Sequence, residues 1–302
     1  LKYRSILYKY NMDTVKTTFD NITSSTFGIV VVSCIIVFIV VRVIVYLMQY
    51  SLTTGLSNAV QLIPGKLSGS QIYTVEQDAA GHNIVGLSNN QQHGIEFTYS
   101  VWLKINSELL KNSEYDISQC DFESVTCDKT LIHVFNKGDN TDTFNIEDYN
   151  HIPKGIKVIN NAPGLYLAKN GPQVSLLVFM DTIDEPSYKK KPIIISNIPI
   201  MKWISLIIIA KSNVLYIYVN GQLKSSKIFT NKVFKQNYDP INLNGSGINW
   251  GSLADLSYYS RSLNGLEIQN LVLSGPNQNN IIDTSSIFNE TPAYLSNNWY
   301  DN

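Results

Sequence analysis

The feature that most constrains this chain is one uninterrupted apolar run, FGIVVVSCIIVFIVVRVIVYLM, from residue 27 to residue 48 with a single charge, Arg42. As a helix it spans about 33 Å at 1.5 Å per residue, against a hydrocarbon core of about 30 Å. Its Val and Ile residues favour strand in water, but in lipid the backbone must satisfy its own hydrogen bonds, so a helix is expected. The run exceeds the apolar core of a secretory signal, and no small-x-small cleavage site follows it, which predicts a retained anchor; the other reading is a long helix buried in a soluble domain. Arg42 lies close enough to Met48 for its side chain to snorkel to the nearer interface. Lys2, Arg4, Lys9 and Lys16 precede the run, whereas only Lys66 carries positive charge between residues 49 and 75. By the positive-inside rule the N-terminus is cytoplasmic and the remainder lies across the membrane. The chain is thus expected to divide into a tail at 1–26, a transmembrane helix at 27–48, a Ser/Gly/Thr-rich stalk at 49–71 with little regular structure, a folded domain at 72–276 and a C-terminal segment at 277–302.

Beyond the stalk the periodicity changes to two. In FTYSVWLKI, Phe97, Tyr99, Val101, Leu103 and Ile105 share one face and Thr98, Ser100, Trp102 and Lys104 the other, which predicts a half-buried strand. Further strands are expected at 131–136, 164–168, 173–180, 203–210, 214–219 and 253–259. Asn220-Gly221 between VLYIYV and QLKSSKIF predicts a two-residue hairpin, since both turn positions need positive φ. One short helix is expected from Leu263 to Leu273, with Leu266, Leu271 and Leu273 available to pack on a sheet. Many strands separated by Gly, Asn and Pro turns imply an all-β antiparallel sandwich behind the transmembrane helix.

Four pieces carry a family resemblance: FTYSVWLKI, HVFNKGD at 133–139, WISLIIIAKSNVLYIYVNGQLKSS at 203–226 and GSLADLSYYSRSLNGLEIQNLVLSGP at 251–276. In order and spacing they resemble the laminin G-like domains of the concanavalin A-like lectin/glucanase superfamily. The resemblance implies a jelly-roll sandwich over roughly residues 84–276, with a hairpin after "YVNG" and a short helical turn after the last strand. It leaves function open, because ligands on this fold range from sugars to proteins.

Glycoside hydrolases of that superfamily carry two carboxylates on one face of one strand, in E-x-D-x-E or E-x-D-x-x-E. No such motif occurs here: Glu147 and Asp148 are adjacent, and Asp181, Asp184 and Glu185 sit in FMDTIDEPS, where Pro186 suggests a turn. A non-enzymatic chain is expected. The resemblance also implies calcium in loops at one rim, for which Asp139, Asp142, Asp181 and Asp184 are the candidate ligands; the alternative is that they are solvated loop acids. His82, His93, His133 and His151 lack HExxH spacing, which argues against zinc. Cys120 and Cys127 bracket six residues and are either bridged or free thiols. Asn244 and Asn289 head the sequons expected beyond the membrane. In the C-terminal segment Phe288, Trp299 and Tyr300 belong to a set of apolar side chains too large for a solvated tail. That segment is expected to dock as an extended strap, either along its own domain or on a neighbour.

With 23 Lys and Arg against 24 Asp and Glu, the net charge is −1. This argues against a nucleic-acid binder, which needs clustered positive charge. No phosphate-cradling or nucleophile motif suggests a small-molecule substrate. Two classes of function remain. One is a membrane-anchored structural protein whose jelly-roll docks neighbouring proteins, as in membrane-tethered minor capsid proteins of large DNA viruses. The other is a cell-surface carbohydrate-binding or adhesion module.

Overall fold

The structure, a computed structural model, describes residues 26–56, 59–77, 83–91, 94–118, 131–138, 160–183, 192–236 and 238–281. It divides into two compact units, Leu1–Ser57 and Asn58–Asn302. In the first, α1 (Thr26–Leu56) is helical throughout despite its β-branched content. Ile29–Leu47 within it is long and apolar enough to cross a membrane, with exposed side chains such as Phe38 and Val37. The Arg42 guanidinium lies 5.3 Å from the Phe38 ring centre.

The second unit contains, among the described residues, β1 (Val60–Ser68), β2 (Tyr73–Val75), β3 (Asn89–Gln91), β4 (Gly94–Ile105), β5 (Ile132–Lys137), β6 (Gly164–Asn170) and β7 (Gln173–Phe179). They are followed by β8 (Ile193–Ile195), β9 (Trp203–Lys211), β10 (Val214–Val219), β11 (Gln222–Ile228), β12 (Ile241–Leu243), β13 (Gly251–Tyr259) and α2 (Gly265–Ser274). One sheet runs β1-β13-β4-β9-β10-β11, with β3 beside β4, and the other β2-β12-β5-β6-β7-β8. All their ladders are antiparallel. The fold is therefore the expected β-sandwich. Between the sheets Tyr99 of β4 meets Phe135 of β5, ring centres 6.0 Å apart, inside one core that includes Leu103, Leu165, Leu206, Leu215 and Leu253. Each such side chain contributes roughly 1.5–3 kcal/mol by leaving water.

The expected stalk is corrected. Residues 49–56 continue α1, and β1 is a sandwich strand with Leu62, Ile63 and Leu67 buried. Pro64 and Gly65 break the sequence pattern, yet they fall where the β1–β13 register shifts between Ile63 and Lys66. A bulge in an outer strand needs no ladder N–H from proline.

Strand β4 is buried on both faces rather than half-buried: Thr98 and Ser100, on the polar face, are as enclosed as Tyr99. The segment before α2 covers that face. Thr98 Oγ1 donates to the Arg261 carbonyl at 2.8 Å, and Ser262 Oγ donates to the Glu96 carboxylate. Helix α2 starts in a capping box between Asn264 and Glu267, and the Arg261 guanidinium grips the Glu267 carboxylate at 2.6 and 2.9 Å. That arrangement turns Glu267 and Ile268 to the sheet, so the expected packing face is wrong: Leu266 and Leu273 are 60% and 81% exposed, and Leu271 is half-buried.

The β10–β11 hairpin is the expected one, with Val219 opposite Gln222 and φ of 50° at Asn220 and 76° at Gly221. Asn220 Oδ1 also accepts the Ser205 N–H at 2.9 Å, fixing the turn to β9. Gly221→Val is expected to lower stability by roughly 1–3 kcal/mol, read as the urea midpoint. An unchanged midpoint would mean that the turn tolerates a β-branched residue at positive φ.

Candidate functional site

Of the residues singled out in the sequence, Asp139, Asp142, Asp184, Cys120, Cys127, Phe288, Asn289, Trp299 and Tyr300 lie outside the described residues. Asp181 is described, and it is not a solvated loop acid. It follows β7 and is fully buried. Its Oδ2 accepts the Asn161 N–H at 2.8 Å, and its backbone exchanges bonds with Asn161 and Lys235. Among the described residues no three His, Cys, Asp or Glu side chains gather as a metal-binding group.

Asn244 is corrected too. It is fully buried, and its Nδ2 donates to the carbonyls of Ser68 at 2.9 Å and Gln71 at 2.8 Å. Its Oδ1 accepts the Trp250 indole N–H at 3.1 Å. A glycan on that nitrogen has no place in the folded domain.

The outer face of the β2–β8 sheet holds a buried polar network. Gly245 N–H donates to His133 Nδ1 at 2.9 Å, which puts the imidazole proton on Nε2, 3.0 Å from Asn136 Oδ1. Burial lowers the His133 pKa from 6.5 to about 4, so the ring is neutral near pH 7. Asn136 Nδ2 donates to the carbonyls of Gly138 and Asn160. Tyr166 donates to Asn161 Oδ1 at 2.9 Å, and burial, followed by the Asp181 charge, raises its hydroxyl well above the usual phenol range. Its ring meets Phe179 edge-on at 5.3 Å. These groups bond mainly to one another and present neither a poised base nor an accessible nucleophile. The network is structural.

An open site lies at the free side of β1. Residues 277–281 run parallel to that strand: Lys66 N–H donates to the Asn279 carbonyl at 2.8 Å, and Ile281 N–H to the Lys66 carbonyl at 3.1 Å. Asn277 locks the segment in place. Its N–H donates to the Asp255 carboxylate at 2.5 Å, its Nδ2 to the Pro64 carbonyl at 2.8 Å, and its Oδ1 accepts from Asn279 N–H. Gly65 permits the approach, since a Cβ there would stand 2.6 Å from the Asn279 carbonyl oxygen. The described part of the expected strap thus docks on its own domain. Between strap and strand is a cleft of about 390 Å³. Leu62, Ile63 and Ile281 supply its apolar lining, and Tyr73, Asn83, Asn279 and Asn280 its polar one. The sequence showed no sign of this cleft, because its lining comes from four separated segments.

No protein-family model matches the chain, and a search of curated proteins finds no match. Among solved structures, the receptor binding domain of botulinum neurotoxin D is similar at 12% identity and TM-score 0.40, over 72% of this chain and 52% of that one. The binding domain of botulinum neurotoxin serotype G gives 15%, 0.38, 72% and 50%. That of Paraclostridial Mosquitocidal Protein 1 gives 14%, 0.38, 72% and 52%. The chain spans about half the length of each. A likeness at these identities and TM-scores does not bear on function.

Proposed function

We propose that the chain is a membrane-anchored, non-enzymatic binding module. Helix α1 would hold it in a bilayer with the N-terminus on the cytoplasmic side, and the sandwich, laminin G-like in arrangement, would dock a partner on the opposite side. The observation that carries this reading is the joining of an apolar helix of membrane-spanning length to a sandwich whose described buried polar groups bond chiefly to one another. The protein-docking form of the reading is a structural tether, such as a minor capsid component of a large virus. There Phe288, Trp299 and Tyr300 would contact neighbours, and the chain would copurify stoichiometrically with particles after detergent stripping. The carbohydrate-binding form is favoured by the partly apolar cleft beside β1, uncharged among its described lining residues.

The anchor is tested on the full chain expressed in membranes. It should float with the vesicles and resist alkaline extraction, with the sandwich protected from protease added to the cytoplasmic face. Ile36→Asp combined with Val40→Asp should abolish flotation, since each central charge costs roughly 2.5–3.5 kcal/mol on insertion scales. Release of the unmodified chain by alkali, or its cleavage after the apolar run, would overturn the anchor. Release of reducing sugar from a β-glucan by the chain would overturn the non-enzymatic reading.

A further inference from the structure

Resting on the binding-module reading, we infer that the cleft between β1 and the strap is a binding site for an uncharged saccharide. The amides of Asn83, Asn279 and Asn280 and the phenol of Tyr73 would read its hydroxyls.

The first ground is the chemistry of the lining. No hydrogen bond within the described structure engages the side chains of these four residues, and all four line the same cleft. An amide offers a donor and an acceptor side by side, and a phenol offers both on one oxygen, which matches a ligand bearing hydroxyls on neighbouring carbons. Ile281, half-buried in the cleft wall, gives an apolar surface for the C–H face of a sugar ring, and Tyr73, 37% exposed, gives an aromatic one. A few placed polar groups in an otherwise apolar cleft of this size are typical of a small-ligand site.

The second ground is what the cleft lacks. Among the described residues no Asp, Glu, Lys, Arg or His lines it, so a phosphate, a sulfated or carboxylated sugar, or a nucleic acid would meet no counter-charge from them. An extended peptide adding to the sheet edge needs a row of free backbone groups. Here the strap already engages both Lys66 backbone groups, Asn277 takes the Pro64 carbonyl, and proline has no N–H to offer. Recognition must therefore come from side chains.

The third ground is preorganisation. The Asp255–Asn277 and Asn277–Pro64 bonds and the absence of a Cβ at Gly65 hold the strap wall before a ligand arrives. A wall already in place reduces the ordering cost of binding.

The test uses the full chain in nanodiscs, because a glycosidic detergent headgroup would compete. The probes are immobilised neutral di- to tetrasaccharides of glucose, galactose, mannose and N-acetylhexosamines, with sialylated and sulfated counterparts and an extended Asn-rich peptide as controls. At least one neutral oligosaccharide should bind with micromolar to millimolar Kd. Tyr73→Ala and Asn280→Ala should each weaken it about tenfold or more while leaving the unfolding midpoint unchanged. The inference is overturned if no neutral saccharide binds, if only anionic sugars or the peptide bind, or if binding survives both substitutions. If the chain floats with vesicles and binds no sugar, this inference alone fails. If flotation is lost as well, the binding-module reading fails with it.

Discussion

Asn244→Ala is expected to lower the stability of the sandwich by roughly 2–4 kcal/mol, because it strands the buried Trp250 indole N–H at about 1–3 kcal/mol and removes two hydrogen bonds to part-buried carbonyls at about 1 kcal/mol or less each. The Gln71 carbonyl loses its side-chain donor, the Ser68 carbonyl keeps only the Gln71 N–H, and the Trp250 indole N–H loses its acceptor. For a domain of this size the shift corresponds to about 10 °C in Tm. The amide also fastens the turn after β1 to the loop that precedes β13, so its loss should loosen both sheets. Urea unfolding of the solubilised chain, followed by tryptophan fluorescence, measures it directly, since Trp250 is buried. A shift below about 1 kcal/mol, the worth of a single ordinary hydrogen bond, would mean that water replaces the amide.

Acid should weaken the domain through His133. Burial holds its pKa at about 4 against the ordinary 6.5, so the unfolded chain takes up the proton first as pH falls. The contribution is complete above about pH 6.5 and declines towards pH 4, reaching about 3 kcal/mol over that interval. The structural cause is definite: a proton on Nδ1 removes the acceptor for Gly245 N–H. Carboxylates titrate in the same range, which makes the informative quantity a difference. His133→Gln should be less stable than the native chain at pH 7.5, and the gap should close as the pH falls to 4.5. Parallel loss of stability in the two proteins would rule out the imidazole as the cause.

Where the physics is local, the fold was legible in the chain. The β10–β11 hairpin follows from Asn220 and Gly221, which both adopt the positive φ that the turn demands. The alternation in β4 correctly assigned Phe97, Tyr99, Val101 and Leu103 to the core. It could not show that Thr98 and Ser100 are covered as well, because the segment at Arg261 and Ser262, which bonds Thr98 and Glu96, is remote in sequence. Strand β1 was hidden by Pro64 and Gly65, residues that signal a loop locally and a bulge once β13 is alongside. The face of α2 was misread because Glu267 looks like a solvent residue until Arg261 neutralises it. Asp181 looked like a turn acid for the same reason: its partner Asn161 is remote. The C-terminal segment was expected to dock through its apolar side chains, of which only Ile281 is described; Asn277 and backbone bonds hold residues 277–281 on β1, and nothing local in the sequence marks that place. Asn277, Asn279 and Asn280 acquire a common purpose only beside Pro64 and Gly65.

Pairing of the first strand with the last governs when this domain can fold during synthesis. Val60 pairs with Tyr258 and Ser68 with Ser252, and Lys66 waits further still, for Asn279 and Ile281. While the ribosome is making the middle of the chain, β1 has none of these partners, and its bonding edges stay open until nearly the whole domain has emerged. Pairings so distant in sequence are slow to form, and an unpaired edge is prone to pair with another chain. Pro64, by withholding one backbone donor, makes β1 a poorer template during that interval. The bulge that later seats the strap thus also protects the nascent chain.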